Sequence, residues 1–146
     1  MAGEAVPERI RWAVQTLAVE PTGRLLEIGC GGGVAVELIS ARLTTGRITA
    51  IDRSATMAER ARRRNAAHIA AGRASIHTAA FRAPDLSAAG LDTERFDKIF
   101  AVNVNLFWTG PARDELALAA RLLTPGGGST SATIRRVRVA TRSPPR

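Results

Sequence analysis

The sequence predicts an α/β domain built on a doubly wound, mostly parallel sheet, and three observations carry that expectation. Residues 25–33 read Leu-Leu-Glu-Ile-Gly-Cys-Gly-Gly-Gly, a short apolar strand that runs into a glycine-rich turn and opens a helix. Short β-rich runs and helical patterns then alternate along the chain. The run at 96–102, Phe-Asp-Lys-Ile-Phe-Ala-Val, is apolar enough for a strand covered on both faces.

The elements follow in order. Pro7 suits a first helical turn, and Ile10, Val14 and Leu17 recur at helical spacing with Trp12 and Ala13 beside them, so 7–19 reads as an amphipathic helix. Pro21-Thr22-Gly23 is a turn, and 24–29 is the first strand. A helix over 33–43 presents Val34, Leu38 and Ile39, and Thr44-Thr45-Gly46 ends it. The second strand is 47–51. A helix over 54–71 turns Met57, Ala61 and Ile69 inward. The third strand is 74–78, and 85–93 is a loop or a short helix. The fourth strand is 96–102. A helix over 111–123 carries Leu116, Ala120 and Leu123 on one side, and Thr-Pro-Gly-Gly-Gly at 124–128 breaks it. The chain has no internal repeat.

Composition bounds the function. At 146 residues the chain makes one domain with a real core. It has no stretch near the ~20 apolar residues of a membrane span, and Glu4 and Glu8 interrupt the N-terminus where a secretory signal needs an apolar core. A single cysteine excludes an internal disulfide and fits a reducing cytoplasm. No cluster of residues has metal-ligand spacing. The net charge of +8 points toward nucleic acid only weakly. Arg135, Arg136, Arg138, Arg142 and Arg146 carry +5 of it in the last 18 residues. The other dense patch, Arg60, Arg62, Arg63 and Arg64, lies on one helix and reads as a solvated face. No aromatic residues interleave with these arginines to stack on bases. Of 21 basic residues only Lys98 is a lysine, a sign of biased base composition.

Glu27 decides what the glycine turn holds. A carboxylate two residues before Gly29 repels the pyrophosphate of a dinucleotide. It suits a ligand with a positive ammonium, such as the methionine end of S-adenosylmethionine. The dinucleotide fingerprint G-x-G-x-x-G/A also fails, because its third position falls on Val34. Asp52 closes the second strand, 25 residues after Glu27. An acid at that tip accepts ribose hydroxyls, or else caps the helix that starts near Ser54.

Glu27, Gly29, Gly31 and Gly33 spell E-x-G-x-G-x-G, which resembles motif I of the class I S-adenosylmethionine-dependent methyltransferases. The acid at Asp52, the FDKIFAVN stretch at 96–103 and LLTPGGG at 122–128 are similar to later motifs of that family, in the same order. Asn103-Val104-Asn105-Leu106-Phe107-Trp108 resembles the small-molecule methyltransferases of its type 11/25 group. The resemblance covers nearly all of 7–128. It implies a Rossmann-like sheet of order 3-2-1-4-5 and S-adenosylmethionine as cofactor, with a small molecule as methyl acceptor.

It also implies the site. Gly29 and Gly31 let the methionine part approach the backbone, Glu27 meets its ammonium, and Gly33 permits close packing at the helix start. Cys30, between glycines, reads as a small loop residue rather than a nucleophile. Asp52 takes the ribose, with Arg53 next to it. After the third strand, Thr78-Ala79-Ala80-Phe81 lacks the acid that many relatives use for the adenine amino group. Ala80 backbone and the Phe81 ring hold the adenine, or Phe81 is ordinary core. The Asn103 carbonyl accepts from the ammonium, with Asn105, Phe107 and Trp108 on the substrate side, or that stretch is a capped loop whose aromatics pack on the first helix. His68 and His77 stand away from the strand tips, so no catalytic base is named.

The family continues past the Pro-Gly-Gly turn with a fifth strand, a helix and a hairpin of the sixth and seventh strands. Here 129–146 has little apolar material beyond Ile134, Val137 and Val139. The expectation is a core over 1–128 without that hairpin. The rest is then a basic tail, as a truncation or frameshift leaves, or a lone edge strand within 130–140. An uncovered edge favours pairing with a second copy. Three function classes follow: a methyltransferase, a truncated cofactor-binding pseudoenzyme, and a basic nucleic-acid-binding module. Glu27 with Asp52 favours the first two.

Overall fold

The computed structural model describes residues 6–102, 113–124 and 135–137. Its elements are α1 (Glu8–Leu17), β1 (Arg24–Ile28), α2 (Val34–Ser40), β2 (Arg47–Asp52), α3 (Ala55–Arg64), α4 (Ala66–Ala70), β3 (Ala74–Thr78), α5 (Ala83–Ala88), β4 (Lys98–Val102), α6 (Arg113–Leu122) and β5 (Arg135–Val137). The five strands form one sheet of order β3-β2-β1-β4-β5, and every neighbouring pair is parallel. Among the described residues β5 is the edge strand beside β4, with Phe100 opposite Arg135 and Val102 opposite Val137. The rest of 125–146, and with it the expected tail and missing hairpin, lies outside the described residues.

The period-two alternation of the strands builds two apolar layers. Leu25, Ile48, Ala50, Ala74, Ile76, Phe100 and Val102 face one layer, where Val14, Leu17, Val36, Ile39, Ala58 and Ala61 of α1, α2 and α3 meet them. Leu26, Ile28, Ile51 and Ile99 face the other, with Phe81, Leu86, Phe96, Leu118 and Leu122. Glu27 and Asp52 follow the parity of Leu25 and Ile48, so both acids belong to the α1–α2–α3 side.

Local chemistry shifts several boundaries. Pro7 is the N-cap of α1, with extended backbone (ψ 132°), rather than its first turn. The long helix expected over 54–71 is two helices that meet at Asn65 (φ −106°, ψ 18°). The Asn65 side chain donates to the Ala61 carbonyl and to Gly33 across the layer, a backbone-directed use of asparagine that competes with helix continuation. The segment at 85–93 starts earlier, as α5 from Ala83 with Pro84 in its first turn. β4 starts two residues late, because Phe96 and Asp97 serve other partners. Phe96 bridges to Leu123, and the Asp97 carboxylate accepts from the Arg24 amide at 2.8 Å.

The basic run of α3 largely meets acids of its own chain. Arg62 and Arg63 reach Glu59, and Arg64 reaches Glu37. Arg62 also donates to the Ile76 carbonyl at 3.1 Å, which ties α3 to the edge strand β3.

Candidate functional site

The site begins with the connection from β1 to α2. Gly29, Gly31 and Gly33 all take the left-handed backbone (φ 71°, 54° and 83°), which an L side chain adopts only at a cost. The turn then folds onto the tip of β2. The amides of Gly29 and Cys30 both donate to the Ile51 carbonyl, at 2.8 and 3.0 Å. The Gly31 amide donates to Asp52 Oδ2 at 2.8 Å. These three amides face their own chain rather than a phosphate, which is the opposite of an anion cradle.

Asp52 therefore holds the turn. Its other oxygen, Oδ1, accepts from the Ser54 amide at 2.8 Å. Capping of α3 falls to Ser54, whose hydroxyl accepts from the Met57 amide at 3.2 Å. The helix-cap alternative for Asp52 thus moves to Ser54. Asp52 is half-buried, and each of its oxygens keeps a lone pair for a further donor.

Gly33 is a packing position. A Cβ there would sit 2.7 Å from Asn65 Nδ2 and 2.9 Å from the Ala61 Cβ, so α2 can start against α3 only without a side chain. Asn65 is fully buried, and Nδ2 donates to the carbonyls of Gly33 and Ala61 at 3.0 Å each. At Gly31 the nearest atom to a Cβ is Met57 Cε, at 3.7 Å, because that position borders open space.

The open space is a cleft of about 360 Å³ above the turn. Glu27, Gly29, Gly31 and Gly32 line it together with Met57, Val102 and, from the start of α1, Pro7, Arg9 and Ile10. Glu27 is 2% exposed, and its Oε1 is buried without a hydrogen-bond partner. Burial, and second the charge of Asp52, push its carboxyl up to about 8. A cation brought against that oxygen would favour the ionised carboxylate and offset part of its burial cost. Cys30 is buried, and burial together with the charges of Glu27 and Asp52 pushes its thiol up to about 12, so it stays protonated and packs as a small apolar residue.

The other expected positions are less alike. Arg53 is exposed next to Asp52. Ala80 is half-buried past the end of β3, and the Ala79 amide donates to the Asp52 carbonyl at 2.9 Å. Phe81 is buried in the apolar layer with Leu86 and Ile51, as a core residue is. Asn103, and with it Asn105, Phe107 and Trp108, lies outside the described residues. His77 sits within β3 against the Ser75 hydroxyl, and His68 lies on α4, both away from the cleft. Among the described residues no His, Cys, Asp and Glu group could hold a metal ion.

Sequence reasoning missed Asn65, Arg9 and Ile10 as parts of this region. Asn65 carried a signal, since it falls between Ala61 and Ile69 on the inward stripe of the helix, where a polar residue needs a buried partner. Arg9 and Ile10 carried none beyond the amphipathic pattern of α1.

Comparison with known proteins agrees with this geometry. The family model described as "Methyltransferase domain" matches residues 25–127. A trans-aconitate 2-methyltransferase of Paracidovorax citrulli is 30% identical over 123 residues, covering 82% of this chain and 43% of that protein. An S-adenosylmethionine-dependent methyltransferase from Thiobacillus denitrificans, solved with S-adenosyl-L-homocysteine, superposes with a TM-score of 0.62 at 26% identity over 87% of this chain and 48% of its own. The O-methyltransferase TomG from Streptomyces achromogenes, solved with S-adenosylmethionine, gives 0.61 at 26% identity over 84% and 54%. The chain spans about half the length of these relatives. By the family match over 25–127, and with the fold it shares with these solved structures, the chain belongs to the class I S-adenosylmethionine-dependent methyltransferases.

Proposed function

We propose that this chain carries the cofactor half of a methyltransferase that moves the methyl group of S-adenosylmethionine to a small-molecule acceptor in the cytoplasm. The observation that carries the reading is Glu27, a buried carboxyl with an unpartnered oxygen that lines the glycine-turn cleft. It fits the α-ammonium of the cofactor's methionine end, and the inward-facing amides of the turn disfavour a pyrophosphate. The small-molecule acceptor is supported by the relative named for trans-aconitate. A single cysteine suits a reducing compartment.

S-adenosylmethionine supplies an already activated methyl sulfonium. The chain's share is position and orientation, which is most of what an in-line displacement needs. Glu27 anchors the ammonium. Gly31 leaves room beside Met57. Asp52 fixes the turn through the Gly31 amide and offers its remaining lone pairs to ribose hydroxyls. Arg53 and Ala80 border the same strand tips, and Asn103, the next residue in sequence after β4, is the remaining expected cofactor contact. Residues 1–128 form the unit that binds, with β5 closing the sheet beside β4.

Calorimetry on the purified chain with S-adenosylmethionine, S-adenosylhomocysteine and NAD tests the reading. Binding of the first two with no heat from NAD is expected, and equal or tighter NAD binding would overturn it.

A further inference from the structure

Among the described residues β3 is the outermost strand on its side of the sheet. In a parallel ladder a residue turns its amide and its carbonyl toward one neighbour, and the next residue turns both away. The Ile48 amide donates to the Arg73 carbonyl, and the Ala79 amide donates to the Asp52 carbonyl. Arg73, Ser75, His77 and Ala79 therefore serve β2. The backbone groups of Ala74, Ile76 and Thr78 point outward. Ile76 and Thr78 are β-branched, and the strand holds no proline or lysine. Such an edge is a template for a further strand.

Arg62, on α3, covers the middle of that edge. Its Nε donates to the Ile76 carbonyl at 3.1 Å, and Nη2 donates to the Thr78 hydroxyl at 3.4 Å. Nη1 donates to Glu59 Oε2 at 3.4 Å, one turn back on α3. Every nitrogen of the guanidinium thus has a partner, and the planar group is held from the helix and from the strand. Ile76 packs with Ala58 and Ala61 of the same helix, which fixes the distance that Arg62 spans.

We propose that the β3 edge is a self-association surface of this chain and that Arg62 keeps it closed. The occupant it excludes is β3 of a second copy, running antiparallel about a two-fold axis at Ile76. That register sets Ile76 opposite Ile76 and Ala74 opposite Thr78, so the outward amides and carbonyls of the two copies meet. The incoming strand needs the Ile76 carbonyl as an acceptor, and the guanidinium already holds it. Pairing would also bring two like charges together where the strands must touch. The basic run of α3 thereby gains a task at Arg62 that a solvated helix face does not have.

Light scattering over about a hundredfold range of concentration, with amide hydrogen exchange on the same samples, tests the proposal. In the wild type the Ile76 and Thr78 amides should exchange at rates independent of concentration. Arg62→Ala should gain mass toward a dimer beyond the wild type, and protection of those two amides should rise about tenfold or more with concentration. Arg62→Met keeps the apolar stem and takes the place of Arg62→Ala if that variant unfolds. Arg62→Gln sets an amide nitrogen where Arg62 carries Nε, so it should behave as the wild type. Thr78→Pro, added to Arg62→Ala, removes an outward amide from an exposed position and should reverse the gain in mass. Four results would overturn the proposal: unchanged mass without the guanidinium, a gain in mass without protection of β3, a gain that Thr78→Pro leaves in place, or concentration-dependent protection of Ile76 in the wild type.

Discussion

Acidification should release the cofactor. Glu27 Oε1 is buried without a partner, and desolvation, followed by the charge of Asp52, holds the carboxyl at about 8. At neutral pH the group is therefore mostly protonated before a ligand arrives. An ammonium on that oxygen favours the ionised form, so binding must expel the proton. The fraction already ionised falls close to tenfold per pH unit below the pKa, so affinity for S-adenosylhomocysteine should drop about 20-fold between about pH 7.5 and about pH 6. Calorimetry at about pH 7 in two buffers of different ionisation enthalpy should count roughly 0.9 proton released per ligand bound. Glu27→Gln should bind more weakly and lose the pH slope. A flat affinity over this range in the wild type would refute the reasoning, and so would an unchanged slope in Glu27→Gln.

The same shift makes a stability prediction. The folded carboxyl is raised from 4.5 to about 8, so its contribution is fully present below about pH 4.5 and is lost as pH rises through about 8. Glu27→Gln should therefore raise the stability of the ligand-free chain at about pH 7 by on the order of 2 kcal/mol, seen in urea unfolding, and should leave it unchanged or lower near pH 4. Asp52→Ala removes the acceptor for the Gly31 and Ser54 amides and should weaken S-adenosylhomocysteine by on the order of 1–3 kcal/mol, whereas Ser54→Ala should cost about 1 kcal/mol of stability and no affinity. Equal affinity losses in the two variants would remove the distinction between tether and cap. Gly33→Ala places a Cβ 2.7 Å from Asn65 Nδ2 and adds left-handed strain, so the melting temperature should fall by several degrees, and an unchanged melting curve would show that α2 and α3 can separate freely. Gly31 borders the cleft instead, so Gly31→Val should cost ligand affinity more than stability, checked by calorimetry alongside melting.

The sequence by itself determined the sheet and the glycine turn on which the proposed site is built. Alternating apolar runs can be buried only between two layers, and E-x-G-x-G-x-G brings a carboxylate and bare backbone together within seven residues. Such features are local, so the candidate residues Glu27, Gly29, Gly31, Gly33 and Asp52 can be named from the chain alone. The tertiary structure decided what depends on contacts between distant elements. It gave the capping of α3 to Ser54 and the support of the glycine turn to Asp52, because the Gly31 amide comes across from another strand connection. It broke a long helix at Asn65, whose partner Gly33 lies 32 residues away. It buried Phe81 in the core and brought Arg9 to the cleft that Glu27 lines. Periodicity reports which face of an element is apolar. It carries no information about which other element that face will meet, and the second half of this site is made of such meetings.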